Sequence, residues 1–399
     1  MLIGLVGKPN CGKSTFFKAA TLSNVLIANY PFATIKANHA MGYIKVECIE
    51  KHFKVKCNPR EGYCIDGQRF VPIELIDVAG LVSGASEGKG LGNLFLNDLA
   101  GADAFIHVVD VSGETDAEGK STEGYNPNDD IKMIEVELDK WYSEILKKAW
   151  KTFARKTMSE DADFSEAIAS QFSGLKVNRD HVKEVILKGN FDVKKVTQWG
   201  DDEISRFASF LRRVSKPMVI AANKIDAGNG KENYEKLKKE FDYPIFPCSA
   251  ESELALKEAS KSGLIKYISG EDNFEIVKEL SDKQKKALDF VKEKVLFEFG
   301  NTGVQPILNY VVFDLLKYMA IFPAGSKLAD SKGNILPDCF YFLKVRQHWI
   351  LLIIYIQILV KISLRRLILK QNKLLVKTIN LNILMLLKLW FGKKNMTFL

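Results

Sequence analysis

"LIGLVGKPNCGKST", residues 2–15, decides the fold. An apolar run, Leu2–Val6, ends in a loop with the spacing Gly-x4-Gly-Lys-Ser, and a helical pattern follows from Lys13 to about Leu22. A strand feeding such a loop and then a helix is the context in which backbone N–H groups wrap a chain of phosphates. In this reading Gly7, Lys8, Pro9, Asn10, Cys11, Gly12 and Thr15 line the phosphates. Lys13 reaches the β- and γ-phosphates, and the Ser14 hydroxyl binds Mg²⁺. The alternative is a glycine-rich turn before a helix, and the flanking elements weigh against it.

Four more apolar runs read as strands: "VPIELI" from Val71, "AFIHVVDV" from Ala104, "PMVIAAN" from Pro217 and "YPIFPCSA" from Tyr243. None alternates strictly with polar residues, as expected for strands buried on both faces of a parallel sheet. The fold class is therefore α/β: a P-loop, doubly wound, mostly parallel sheet. Residues 40–70 add an antiparallel pair that turns near "EGYCIDG". About a hundred residues after Asp110 break the alternation. A polar loop precedes "IKMIEVELDKWYSEILKKAWKTFARK", which reads as one long amphipathic helix. "HVKEVILKG" and "DDEISRFASFLRRVSK" read as further helices, and a helical signal returns over Lys283–Phe299. The expected organisation is a nucleotide-binding domain over 1–112 and 205–282, a helical insertion over 113–204, and a helical segment over 283–328.

Each later strand ends in a polar motif. Asp77 of "DVAG" can hold Mg²⁺ through water, and the Gly80 N–H can contact the γ-phosphate. In "NKID", Asn223 closes a strand, Lys224 can lie along a base, and Asp226 can accept hydrogen bonds from guanine N1 and N2. Adenine has no matching donor pair, so the carboxylate selects guanine. "CSA", Cys248–Ala250, offers a backbone N–H from Ser249 or Ala250 to the guanine oxygen. Ligands of open α/β sheets bind at these strand ends.

The net charge is +8, but residues 340–399 hold eleven Lys and Arg and no Asp or Glu, which leaves the rest of the chain at −3. Neither a DNA partner nor a membrane anchor is expected. The apolar run "WILLIIYIQILV" is 12 residues long, short of the roughly 20 that span a bilayer. With no charged leader before Gly7 and six scattered cysteines, a reducing cytoplasm is the expected compartment. Cys48, Cys57 and Cys64 lack the tight pairs usual in zinc sites and read as structural or redox-sensitive thiols. His107, inside "FIHVVD", reads as a satisfied core histidine.

The stretches "GLVGKPNCGKSTFFKA", "NYPFATIKAN", "ELIDVAGLVSGASEGKGLGNLFLNDL", "ADAFIHVVDVSG", "AANKID" and "PCSAESE" together resemble the Obg group of translation-factor GTPases, most closely the archaeal type of its YchF-like subfamily. The resemblance spans most of residues 1–255. It implies a GTP-hydrolysing G domain, a helical insertion, a C-terminal TGS (β-grasp) region and association with ribosomes or ribosomal RNA. It also assigns Thr34 of "YPFAT" to the switch that closes on Mg²⁺ and the γ-phosphate. Lys13, Thr34 and Gly80 are thereby the expected catalytic residues, and Ser14, Thr34 and Asp77 the Mg²⁺ set. Bacterial and eukaryotic relatives often prefer ATP, whereas Lys224 and Asp226 here argue for GTP. Where many GTPases have a glutamine, this chain has Leu81, as the subfamily does. An apolar side chain cannot orient water, so slow turnover is expected. Asn10 either helps hold K⁺ beside the phosphates or caps a turn. "GASEGKGLG", Gly84–Gly92, reads as a switch loop.

The resemblance reaches "GNILPDCF", Gly333–Phe340, as the start of the TGS region and then stops. From Leu343 the chain has no acidic residue, no Ala or Pro, and a single glycine, Gly392. Codons for Lys344–Ile350, read one nucleotide earlier, permit Lys-Gly-Ser-Thr-Ala-Leu-Asp. The Leu is forced by His348-Trp349 and the Asp by Trp349-Ile350. The expectation is a frameshift between Phe340 and Lys344, in the gene or its sequencing. It would disrupt the TGS region, 329–399, from about residue 343, leaving a segment without a native β-grasp pattern.

Overall fold

The computed structural model describes residues 1–22, 39–78, 80, 98–148, 150–159, 162–324 and 327–344. The chain divides into two compact units, 1–44 with 72–316, and 45–71 with 317–399.

All five apolar runs are strands. In chain order the sheet-forming strands are β1 (Leu2–Val6), β2 (His39–Glu47), β3 (Tyr63–Ile65), β4 (Gln68–Asp77), β5 (Ala104–Asp110), β6 (Met218–Asn223) and β7 (Ile245–Cys248). The order across the sheet is β2-β4-β1-β5-β6-β7. Every residue of β5 and β6 is buried, which explains their unbroken apolar sequence. β1 runs parallel to β4 and β5, and β5 to β6, which in turn runs parallel to β7. The register sets Leu5 opposite Asp77, Asp110 opposite Asn223, and Asn223 opposite Cys248. The polar strand ends thus share one edge of the sheet, where Gly7 opens the loop into α1 (Lys13–Thr21).

The expected single long helix is assigned as two stretches, Asn128–Lys147 and Trp150–Ser159, with Ala149 outside the described residues. Helices Arg179–Gly189 and Asp201–Ser215 match the remaining two readings. These helices share one apolar core with the sheet, in which Val6, Ile76 and Phe105 pack with Leu138, Tyr142, Phe172 and Phe207. A boundary at residues 204/205 would cut helix Asp201–Ser215, so the first unit keeps the insertion within it. Among the described residues, no helix is long and apolar enough to cross a membrane.

In the second unit, β3 and the start of β4 form the expected hairpin. It turns at Asp66 and Gly67, which both have positive φ (49° and 75°). This is the backbone that a two-residue hairpin turn needs. Tyr318–Ile321 and Phe340–Leu343 pair antiparallel. The buried Arg69 guanidinium donates to the carbonyls of Leu336 and Pro337. The tail expected to be out of frame lies outside the described residues beyond Lys344.

Candidate nucleotide-binding site

The phosphate loop is held by its neighbours. Gly12 has φ 93°, and a Cβ there would lie 2.2 Å from Asn223 Nδ2. That close approach lets Asn223 donate to the Cys11 carbonyl at 2.9 Å. The Asn223 Oδ1 accepts the Ala250 N–H at 3.0 Å. One side chain thus joins the phosphate loop to the Ser249–Ala250 turn. Lys13 Nζ donates to the Lys8 carbonyl at 3.3 Å, so its ammonium lies over the loop.

Ser14 Oγ donates to Asp77 Oδ2 at 2.8 Å. The other carboxylate oxygen, Oδ1, is buried and has no partner among the described residues. Burial raises the Asp77 pKa, against the Ser14 hydrogen bond and the Lys13 charge. A buried carboxylate oxygen beside a hydroxyl and an ammonium fits a hard cation with oxygen ligands, as Mg²⁺ requires. Gly80 follows closely: a Cβ on it would lie 2.7 Å from the Pro9 nitrogen, so only glycine brings this backbone against the loop.

For two lysines of the site the structure narrows the reading to backbone and stem, since both ammonium groups are engaged within the protein. Lys8 is buried. Its ammonium donates to the Thr115 carbonyl at 2.7 Å, pairs with Asp130 at 3.0 Å and lies 4.0 Å from the Tyr125 ring centre. Burial pushes the Asp130 carboxyl up to about 6 in spite of Lys8. Only the Lys8 backbone is left for phosphates. Lys224 has a positive φ of 60°, and its Nζ donates to Asp110 Oδ2 at 2.6 Å. Burial opposes ionisation of Asp110, but hydrogen bonds from Lys224, Ser112 and Thr115 outweigh it and hold the pKa below the usual carboxylate value. The expected free N–H of "CSA" is also corrected. Ser249 N donates to the Thr302 carbonyl and Ala250 N to Asn223, so this turn is internally bonded. Asp226, two residues past Lys224, is half-buried.

Sequence reasoning missed Asp110, although it closes an apolar strand just as Asp77 does. It also missed the role of the polar loop after β5. Asn10, at φ 58°, donates through Nδ2 to the Gly119 carbonyl at 2.8 Å. A Cβ on Gly119 would lie 2.6 Å from the Pro9 carbonyl, so this loop rests on the phosphate loop. Thr34, Leu81 and Gly84–Gly92 lie outside the described residues.

Comparison with known proteins agrees with this arrangement. Residues 2–148 match a family described as 50S ribosome-binding GTPase, and residues 221–325 match the Obg-like GTPase YGR210-like, G4 motif-containing domain. A GTP-binding protein of Methanocaldococcus jannaschii is 47% identical over 348 residues, covering 86% of this chain and 87% of that one. The ribosome-binding ATPase YchF of Buchnera aphidicola is 30% identical over 330 residues, covering 81% and 78%. The crystal structure of a GTP-binding protein from Pyrococcus horikoshii superposes with a TM-score of 0.68 at 38% identity, over 86% of each chain. With likeness of this degree along most of both chains, the protein belongs to the Obg-like, YchF-type family of P-loop GTPases.

Proposed function

We propose that the protein binds GTP with Mg²⁺ and hydrolyses it slowly to GDP and phosphate, as a conformational switch in translation. The observation that carries this reading is the double hydrogen bond of Asn223 to Cys11 and Ala250, which ties the phosphate cradle to the base motif. Asp226 selects guanine. Ser14 and Asp77, with Thr34 of the switch, hold Mg²⁺, which when bound neutralises charge on the β- and γ-phosphates. Lys13 and the backbone N–H of Gly80 stabilise negative charge on the transferring phosphoryl group. With leucine at position 81, no side chain there orients the attacking water, so a partner or an ion completes the site.

The ribosome is the proposed partner. The matched family description and the name of the Buchnera relative support it. Single-turnover hydrolysis with and without ribosomes tests the switch, and an unchanged, negligible rate in both would leave a binding protein instead. GTP and ATP affinities test the base, and equal values would defeat the guanine assignment. The K⁺ role of Asn10 extends the same reading. Its Nδ2 is the bonded atom, which leaves Oδ1 as a cation ligand. Equal rates in K⁺ and Na⁺ would end that role.

A further inference from the structure

The hairpin region of the second unit gathers residues that the nucleotide site does not use. Cys48 follows β2, Glu50 opens the short helix Glu50–Phe53, Cys57 lies in the loop beyond, and Cys64 is in β3. Their ligand atoms all lie within 4.8 Å of one another. The spacing in sequence is loose, so the pattern is not legible until the hairpin folds back.

We propose that Cys48, Cys57, Cys64 and Glu50 form a tetrahedral structural site for a thiophilic divalent cation, Zn²⁺ by its chemistry. A zinc ion with Zn–S of about 2.3 Å and Zn–O of about 2.0 Å holds two sulfurs about 3.8 Å apart, and a sulfur and an oxygen about 3.5 Å apart. Here Cys48 Sγ and Cys57 Sγ are 3.7 Å apart, and Cys64 Sγ and Glu50 Oε1 are 3.5 Å apart. Two edges of the tetrahedron are already set. The carboxylate is also oriented: Glu50 Oε2 accepts the Cys57 backbone N–H at 2.8 Å, which leaves Oε1 toward the thiols. Such outer hydrogen bonds are what fix the ligands of metal sites. Arg69, buried in the same unit, exerts its positive charge on Cys48 and offsets part of the negative ligand set.

A disulfide explains less. It would bring two sulfurs to about 2.05 Å, leave the third thiol unpaired, and give the oriented carboxylate no role. The donor set, three soft sulfurs and one oxygen, favours zinc over Mg²⁺ or Ca²⁺. Four protein ligands close the coordination sphere, so the site is structural rather than catalytic. It ties the end of β2 to the hairpin where the local helix is only four residues long.

The test uses the full chain, purified from zinc-supplemented culture under reducing conditions and assayed for metal by mass spectrometry. About one zinc per chain is expected. Cobalt substitution should give tetrahedral d–d bands and thiolate-to-cobalt charge transfer. Cys57→Ser and Cys64→Ser should each lose the metal, whereas Cys339→Ser, outside the cluster, should keep it. Glu50→Gln, close to isosteric, should weaken retention during dialysis against a chelator by roughly 10- to 100-fold. GTP binding in each variant reports that the first unit is folded. Zinc-free protein without cobalt charge transfer overturns the proposal. So does zinc that survives both Cys57→Ser and Cys64→Ser, or a Cys48–Cys57 disulfide in metal-free chain.

Discussion

At the scale of single residues, Asp226 offers a clean exchange. Guanine presents N–H donors at N1 and N2 to a carboxylate, whereas xanthine replaces the second donor by a carbonyl. The amide introduced by Asp226→Asn would keep an acceptor for N1–H and gain a donor for that carbonyl. Each hydrogen bond to a charged group contributes about 1.5–3 kcal/mol, so GTP affinity should fall roughly 10- to 100-fold while XTP affinity rises. Displacement of a fluorescent GDP analogue measures both, and an unchanged GTP affinity would remove Asp226 from the base site. The residue types at the site were legible because strand-end motifs announce themselves. The directions of Lys8 and Lys224 were not. Each is set by a partner far away in sequence, Asp130 for one and Asp110 for the other, and no local pattern reports such a pair.

At the scale of elements, the strands were readable because burial on both faces removes alternation, and β5 is the extreme case. Its cost is His107, which is in the core as expected but is not satisfied there: it is fully buried, with neither ring nitrogen hydrogen-bonded among the described residues. Burial, reinforced by the Lys13 and Lys8 charges, pushes its pKa from 6.5 down to about 3. The folded chain keeps the ring neutral, while the unfolded chain protonates it below 6.5. Between those values the unfolded state binds the extra proton, so stability falls as pH drops, by up to about 1.4 kcal/mol per pH unit. Asp130, raised from 3.8 to about 6, acts in the opposite sense over much of that window, so the difference between variants is the useful measurement. His107→Phe should lessen the acid sensitivity of urea unfolding between pH 6 and about 4; identical pH slopes in the two proteins would refute the assignment. The polar loop after β5 was the opposite case. Its hydrogen bonds with the phosphate loop run through backbone carbonyls at Thr115 and Gly119, which carry no side-chain signature, while the Tyr125 ring beside Lys8 adds a side chain.

At the scale of the whole molecule, the two parts of the sequence differ in kind. Before Lys344 the apolar runs read as strands all have a place in the first unit, and the pair Tyr318–Ile321 with Phe340–Leu343 has one in the second. Beyond Leu343 the composition changes abruptly, with basic residues and no acidic ones. From Leu343 on there is also no proline and no alanine, a bias that is odd for a folded domain. A one-nucleotide shift would restore an acidic residue at once, since His348-Trp349-Ile350 must then read Leu-Asp, and it permits an alanine just before them. Resequencing the locus should therefore reveal an inserted or deleted nucleotide within the codons for Phe340–Lys344. The chain expressed from the restored frame should resist proteolysis past Leu343, whereas the present chain should be cut there, because its side-chain pattern was not selected for a packed sheet. A confirmed reading frame, together with a protease-resistant segment beyond Leu343 in the present chain, would show that the tail is a domain in its own right.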